Sequence, residues 1–407
     1  MSYKPLKTLF HMYGVDELEK IYKTRMNSES AYVLDIEIHP IQDGHQKGAV
    51  SYPLFFVLTK KLVSQLETVL TNSEKIKALS SLLPGVANQA YIKHLLINEL
   101  QSTNETENIR STKQEIAAVI NKTKAHHQRF DGLVGQYLML NDDDGKVNTI
   151  SDIRNVFDKM VSTEVKEKAM PDGVLFRKAS VGVYDGSRNR WVHRNESSEQ
   201  DIIEYLQSML IFIKYDEAPQ IFKIMASHFI FEYTHPFYDG NGRVGRYMLA
   251  KMLHDTLDAF TALTFSYTVN RNKQKYYKAF ENTSHFYNKG ELTSFIADML
   301  DLVIEGQKHV LETFEHNEQL LDQLGTALEK TTKDKYEMGV LFVLLQDKLF
   351  GSRYSRISLK ELTSVTGFSR NKVNAVIQKY EQQLVQLKRN PAVYELNDTF
   401  IEYLLNA

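Results

Sequence analysis

The chain has 407 residues, 43% hydrophobic and 25% charged, which is enough apolar material for more than one packed core and unlike a disordered segment. Its 49 Lys and Arg against 51 Asp and Glu give a net charge of −2, so a polycationic coat for nucleic acid is excluded, though a local basic patch is not. With no cysteine, disulfide frameworks, thiolate zinc sites, iron–sulfur clusters and a Cys nucleophile are excluded together.

The first residues, Met1-Ser2-Tyr3-Lys4-Pro5-Leu6-Lys7, have no apolar segment behind their charges. No run approaches the roughly 18 apolar residues of a membrane span, so a cytoplasmic location and no membrane partner are expected. Residues 31–41 partly alternate and fit a short strand. Apolar residues at three- and four-residue steps predict helices from Pro53 to about Leu70, from Glu74 to Leu83, and from Val86 to about Leu100. Thr112 and Glu115 form a capping box that opens a helix to about Lys122. Further helices fit Ile153–Met160, Glu199–Ile213, Pro219–Glu232, Arg243–Leu257, Lys273–Phe286, and a long one from Leu292 past Leu320.

Ser180–Tyr184 and Arg190–His193, around an Asp185-Gly186 turn, read as a β-hairpin. Its edge either offers pairing to an incoming peptide strand or merely caps a helix bundle. After about Asp334, a helix, two further helices around Gly367 and a hairpin around Asn390-Pro391 predict a winged helix. Between residues 353 and 389, Arg353, Arg356, Lys360, Arg370, Lys372, Lys379, Lys388 and Arg389 outnumber Glu361 and Glu381. That surplus fits DNA phosphates, or else a solvated domain that packs on a partner.

The segment richest in chemistry is His235-Pro236-Phe237-Tyr238-Asp239-Gly240-Asn241-Gly242-Arg243-Val244-Gly245-Arg246, between two predicted helices. Pro236 disfavours helical backbone at His235 and ends the incoming helix there. Gly240 and Gly242 permit a tight turn whose N–H groups face an anion, with the next helix's positive end behind them. Arg243 and Arg246, three residues apart on that helix, add fork-shaped donors for phosphate oxygens. Asp239 is a hard oxygen ligand suited to Mg²⁺, and His235 can take a proton near neutral pH. Together they describe phosphoryl or nucleotidyl transfer. The His126-His127 and His228/His235 pairs lack standard metal spacing.

This segment resembles the signature of the Fic (filamentation induced by cAMP) family, H-P-F-x-[DE]-G-N-G-R-x-x-R, at every fixed position, and the resemblance spans roughly residues 101–300. It implies an all-helical core and a Mg²⁺- and ATP-dependent protein adenylyltransferase acting on a Tyr, Ser or Thr hydroxyl of a target protein or of itself. By that resemblance His235 is the base, Asp239 holds Mg²⁺ and Phe237 anchors the loop. Gly240, Asn241 and Gly242 line the anion hole, Arg243 meets the β-phosphate and Arg246 the γ-phosphate. Tyr276 or Tyr277 lies near the adenine or packs in the core, and Val181, Gly182 and Val183 form a flap that docks the target.

Upstream, Thr103-Asn104-Glu105-Thr106-Glu107-Asn108 is similar to the family's inhibitory motif [ST]-x-x-x-E-[GN], with Glu107 placed to pair with Arg246. An apolar residue and Gly are usual where Thr106 and Asn108 stand. A carboxylate there also suits a water-activating role in removing AMP. The expected architecture is mainly α: residues 1–110 as a helical region ending in the inhibitory helix, 111–333 as the catalytic domain with its hairpin flap, and 334–407 as a winged helix. Transfer of UMP or another phosphate-containing group, and a DNA-binding regulator with a nucleotide-sensing module, are the alternatives. A homodimer is implied by family habit alone.

Overall fold

Apolar residues at helical steps fold as helices through most of the chain, and the computed structural model describes residues 3–42, 45–121, 128–142, 145–185 and 190–406. The N-terminal α1 (Leu6–Tyr13) and α2 (Val15–Met26) bury Leu6, Leu9, Leu18 and Tyr22 against Phe55 and Val57 in a small core of their own. In β1 (Ala31–Ile38), Leu34, Ile36 and Ile38 are buried and their neighbours Asp35 and Glu37 exposed, the period of a half-buried strand. The short β2 (Ile41–Gln42) and β3 (His45–Gln46) pair with each other, and β4 (Tyr52–Val57) runs antiparallel to β1, from Ala31↔Val57 to Ile38↔Tyr52.

Here the structure departs from the helix expected over Pro53–Leu70. Leu54 and Phe56 enter the main core while Phe55 and Val57 enter the N-terminal one. A strand buried on both faces shows no alternation, and its apolar run merges with the spacing of the helix that follows. That helix, α3 (Lys60–Leu82), starts at Thr59, whose hydroxyl accepts from the Leu62 N–H, and continues without a break through the second expected helix. Next come α4 (Gly85–Thr106), α5 (Lys113–Ile120) with the expected Thr112/Glu115 capping box, α6 (Asp131–Leu138) and α7 (Ile150–Met160). His126 and His127 lie outside the described residues.

The hairpin forms as β5 (Val181–Asp185) and β6 (Arg190–Asn195), antiparallel from Val181↔Asn195, with its turn outside the described residues. Then follow α8 (Glu199–Tyr215), α9 (Gln220–Thr234), α10 (Asn241–Thr256), α11 (Ala259–Ala262), α12 (Phe265–Arg271) and α13 (Lys273–Thr283). The middle of the fold is α9 and α10, buried on nearly every face and packed on each other. With 39 residues, α14 (Thr293–Thr331) is about 58 Å long and packs on α3, α9, α12 and α13.

Its C-terminal half meets α15 (Lys335–Phe350), where Asn317 donates to the Leu349 carbonyl at 2.9 Å. The tail continues through α16 (Leu359–Thr366), α17 (Arg370–Lys379), the antiparallel β7 (Leu384–Arg389) and β8 (Ala392–Leu396), and α18 (Asp398–Leu405), in the expected element order. One apolar cluster runs unbroken from Leu34 to Leu404. α4 bridges the halves, packing on α15 as well as on α10 and α12. No helix among the described residues is long and apolar enough to cross a membrane.

Candidate active site

The site forms at the turn between α9 and α10. Pro236 stops α9 at Thr234, and His235 takes left-handed backbone, φ 51° and ψ 61°, a conformation a non-glycine residue holds only where its surroundings enforce it. The enforcement is visible in Arg177, which is 0% exposed. Its guanidinium donates to the carbonyls of His235 (2.7 Å), Thr234 (3.1 Å), Ala179 (2.7 Å) and Ser197 (3.1 Å), while its backbone N–H meets Pro236 O at 3.1 Å. Burial lowers its pKa to about 10, so the cation still persists, held by carbonyls at the negative end of α9. One side chain thereby ties the base of the hairpin to the turn between α9 and α10. Sequence reading missed it, because an isolated Arg beside a loop carries no local pattern. Replacing Arg177 by Met should strand those four carbonyls and lower stability by about 2–4 kcal/mol. A free energy of urea unfolding changed by less than about 0.5 kcal/mol, the range of a neutral surface substitution, would contradict this.

His235 Nδ1 faces the Glu232 carbonyl at 3.2 Å, so the ring hydrogen belongs on Nδ1 and the basic lone pair on Nε2. Burial pushes the imidazole down to about 4, which keeps it neutral at physiological pH. Phe237 is fully buried, stacked on Phe157 at 4.1 Å and tilted on Phe176, and so anchors the loop. Asn241 braces it: Oδ1 accepts from Phe237 N–H at 2.9 Å and Nδ2 donates to Phe237 O at 2.7 Å, so its side chain is committed to the loop and its backbone is what faces outward. Tyr238 takes the Ala179 N–H and donates to Asp172, a second tie to the hairpin base.

Gly240 has φ +85°, in the left-handed region, and caps α10 without any side-chain bond to the first N–H groups of the helix. At Gly242 the reason for glycine is space: a Cβ there would meet Glu107 Oε1 at 2.1 Å. A carboxylate from α4 thus lies directly against the N-terminus of α10. That same oxygen is 2.9 Å from Arg246 Nη2, and Thr103 completes the contact, its Oγ1 accepting from Arg246 Nε (2.9 Å) and its carbonyl from Nη2 (3.0 Å). Burial works against the Arg246 charge, but Glu107 and its neighbours more than offset this and raise its pKa.

The end of α4 is held from α12 and α13. Lys273 Nζ donates to Glu105 O at 2.6 Å and the Tyr277 hydroxyl to Thr106 O at 3.0 Å. Asn108, where Gly is usual, has φ 58°, a left-handed helix ending that Asn tolerates. Thr106 turns inward and donates to Ser102 O, so neither departure displaces Glu107. Of the two tyrosines, Tyr276 is buried, its hydroxyl 2.8 Å from His228 Nε2, and belongs to the core, while Tyr277 is 43% exposed beside the site.

Arg243 is buried and pairs with Glu164 at 2.9 Å, a residue the sequence did not single out, and its Nε has no hydrogen-bond partner among the described residues. Burial raises the Glu164 pKa, with Arg243 opposing. Val181 and Gly182 begin β5, Gly182 exposed, and Val183 contributes its backbone to the same strand.

These groups fit a bound nucleotide with Mg²⁺. A protein carboxylate already stands where an anion would sit, the orphaned Arg243 Nε is a spare donor, and Asp239 is exposed at the loop tip. Among the described residues no cluster of three His, Asp or Glu could by itself hold a metal, and Mg²⁺ characteristically takes one or two carboxylates plus substrate phosphates.

Residues 149–253 match the model of the Fic/DOC family. Among solved structures, a Fic family protein from Desulfovibrio desulfuricans G20 superposes with a TM-score of 0.54 at 16% identity, over 84% of this chain and 97% of that one, a likeness of fold. A Fic domain-containing signaling protein from Bacteroides thetaiotaomicron is similar at TM-score 0.45 and 14% identity, over 61% of this chain and 97% of that one. Fic-1 from C. elegans is similar at TM-score 0.45 and 14% identity, over 63% of this chain and 73% of that one. No curated protein sequence matches the chain.

Proposed function

The chain carries a Fic/DOC family domain, and from that premise we propose that it is a self-inhibited protein adenylyltransferase that moves AMP from ATP to a protein hydroxyl. The observation that carries the reading is the Glu107 carboxylate seated against Gly242 and bound to Arg246, an internal anion where the nucleotide phosphates would lie. His235 Nε2 takes the proton of the attacking hydroxyl. The new bond forms from that oxygen to the α-phosphorus, the bond to the bridging oxygen of the β-phosphate breaks, and pyrophosphate leaves. The first N–H groups of α10, Arg243 and Arg246 are fixed before charge develops on the phosphate oxygens, and such preorganised donors are worth about 3–4 kcal/mol each. Asp239 would hold Mg²⁺, which when bound neutralises phosphate charge. The β5 strand at Val181–Val183 is the proposed docking strand for the target, and Tyr277 is proposed to flank the adenine.

The divisions at about residues 110 and 333 are proposed as functional units: inhibitory helix, catalytic domain and winged helix. A second reading has the same observation behind it: a carboxylate beside the phosphate site orients a water and the enzyme removes AMP. ATP labelled at the α- or the γ-phosphate tests the proposal on Glu107→Gly. AMP transfer leaves only the α label on protein, whereas phosphoryl transfer leaves the γ label and would overturn it.

A pH profile follows from the His235 environment. Since burial holds its pKa near 4, below the ordinary value of about 6.5, the transfer rate should stay level from neutral pH down to about pH 5 and fall only below that. An acid limb centred at about 6.5 or higher would show a base with an unperturbed environment, contrary to the buried geometry.

A further inference from the structure

We propose that α17 and the tip of the β7–β8 hairpin form a binding face for double-stranded DNA, separate from the transfer reaction. The turn between α16 and α17 is tight: Gly367 takes left-handed backbone at φ 66° and Ser369 caps the second helix, accepting from the Lys372 N–H. α17 buries Val373, Val376 and Ile377 against α15 and α16. This turns Arg370, Asn371, Asn374, Ala375 and Gln378, at helical steps of one, three and four, out to solvent as one face. No acidic residue lies within α17, and its exposed face has no large apolar side chain to anchor a protein partner.

The residue types match the major groove. Asn and Gln amides pair with the adenine edge, a small Ala side chain meets a thymine methyl, and Arg and Lys at the helix start reach phosphate. A second-position helix of this kind is the one that enters the groove in helix-turn-helix proteins. The hairpin tip carries Lys388 and Arg389, both exposed, on a strand next to the helix in sequence, where a wing would meet backbone phosphates.

The structure also sorts the basic residues that sequence alone had grouped. Arg356 is buried between Glu395 (3.0 Å) and Asp347, and Lys379 is tied to Glu337, so both serve the fold. Arg353 lies 3.7 Å from Glu395. Lys372 rests over the Tyr336 ring at 4.8 Å with its charge at the surface. The acidic groups nearest in sequence, Glu381 beyond the end of α17 and Glu361 on α16, are exposed, and Glu361 is paired with Lys93 at 3.4 Å. Besides the exposed Lys360 on α16, the start of α17 and the hairpin tip leave Arg370, Lys372, Lys388 and Arg389 for phosphate.

The test uses the full chain and a fluorescent duplex of about 25 base pairs, longer than two helical turns, titrated at several salt concentrations. Wild type should bind with a log–log salt slope near −4, and Arg370→Ala/Lys372→Ala/Lys388→Ala/Arg389→Ala should flatten the slope by about 4 and lose most of the affinity. Because all four side chains are exposed, circular dichroism should be unchanged and the thermal midpoint should fall only slightly, through the lost Lys372–Tyr336 contact. Asn374→Ala/Gln378→Ala should keep the slope and flatten the preference among duplex sequences. Failure of wild type to bind duplex at about 50 mM salt, or equal binding by the fourfold variant, overturns the proposal.

Discussion

Replacing His235 by Ala is expected to lower AMP transfer by about 10²–10⁴-fold while leaving ATP binding nearly intact. The side chain projects from a turn whose backbone is fixed by Pro236, by the buried Phe237 and by Arg177, none of which needs the imidazole to hold its place. The groups proposed to grip the nucleotide lie beyond it, on α10. Loss should therefore fall on kcat with KM for ATP little changed, the pattern of a group used only in the transition state. A comparable rise in KM would show that His235 binds substrate, and retention of rate would remove it as the base.

Glu107→Gly should act in the opposite direction, raising transfer by about 10²-fold, the worth of one freed donor at the developing charge. The ion pair it breaks is one-sided: Arg246 is 1% exposed in its side chain and Glu107 32%. Removing the carboxylate leaves a buried cation with Thr103 and, nearby, Glu232, whose own carboxyl is pushed up to about 8 in wild type by burial, with Glu107 adding to the shift and Arg246 opposing it. The apo variant is accordingly expected to melt at a lower temperature than wild type, and ATP should restore more stability to the variant than to wild type. Glu107→Gln separates charge from bulk. If it stays slow, the side chain blocks by occupying the space over Gly242, and if it activates, its charge was the obstacle.

The loop itself was legible because its requirements are local. Pro after His, Gly at φ +85° and Arg at i and i+3 are written in twelve consecutive residues, and the structure places them as those rules demand. The capping box at Thr112 was legible for the same reason. What stayed hidden depends on distant pairing. Arg177 meets the Thr234 and His235 carbonyls nearly sixty residues away, and Glu164 meets Arg243 from the loop after α7, with no periodic signature at either residue. β4 was misread since its residues serve two cores at once, which erases the alternation that marks a strand. α1 and α2, with their own small core against β4, were too short and too mixed in polarity to stand out.

The partition of labelled α-phosphate among three proteins tests the central proposal most directly. Wild type, Glu107→Gly and His235→Ala are incubated with Mg²⁺ and ATP labelled at the α-phosphate, and covalent label on protein is measured over time. The proposed mechanism requires strong labelling by Glu107→Gly, weak labelling by wild type and none by His235→Ala, with all three binding ATP. Equal labelling by wild type and Glu107→Gly, or labelling by His235→Ala at the wild-type rate, would contradict it.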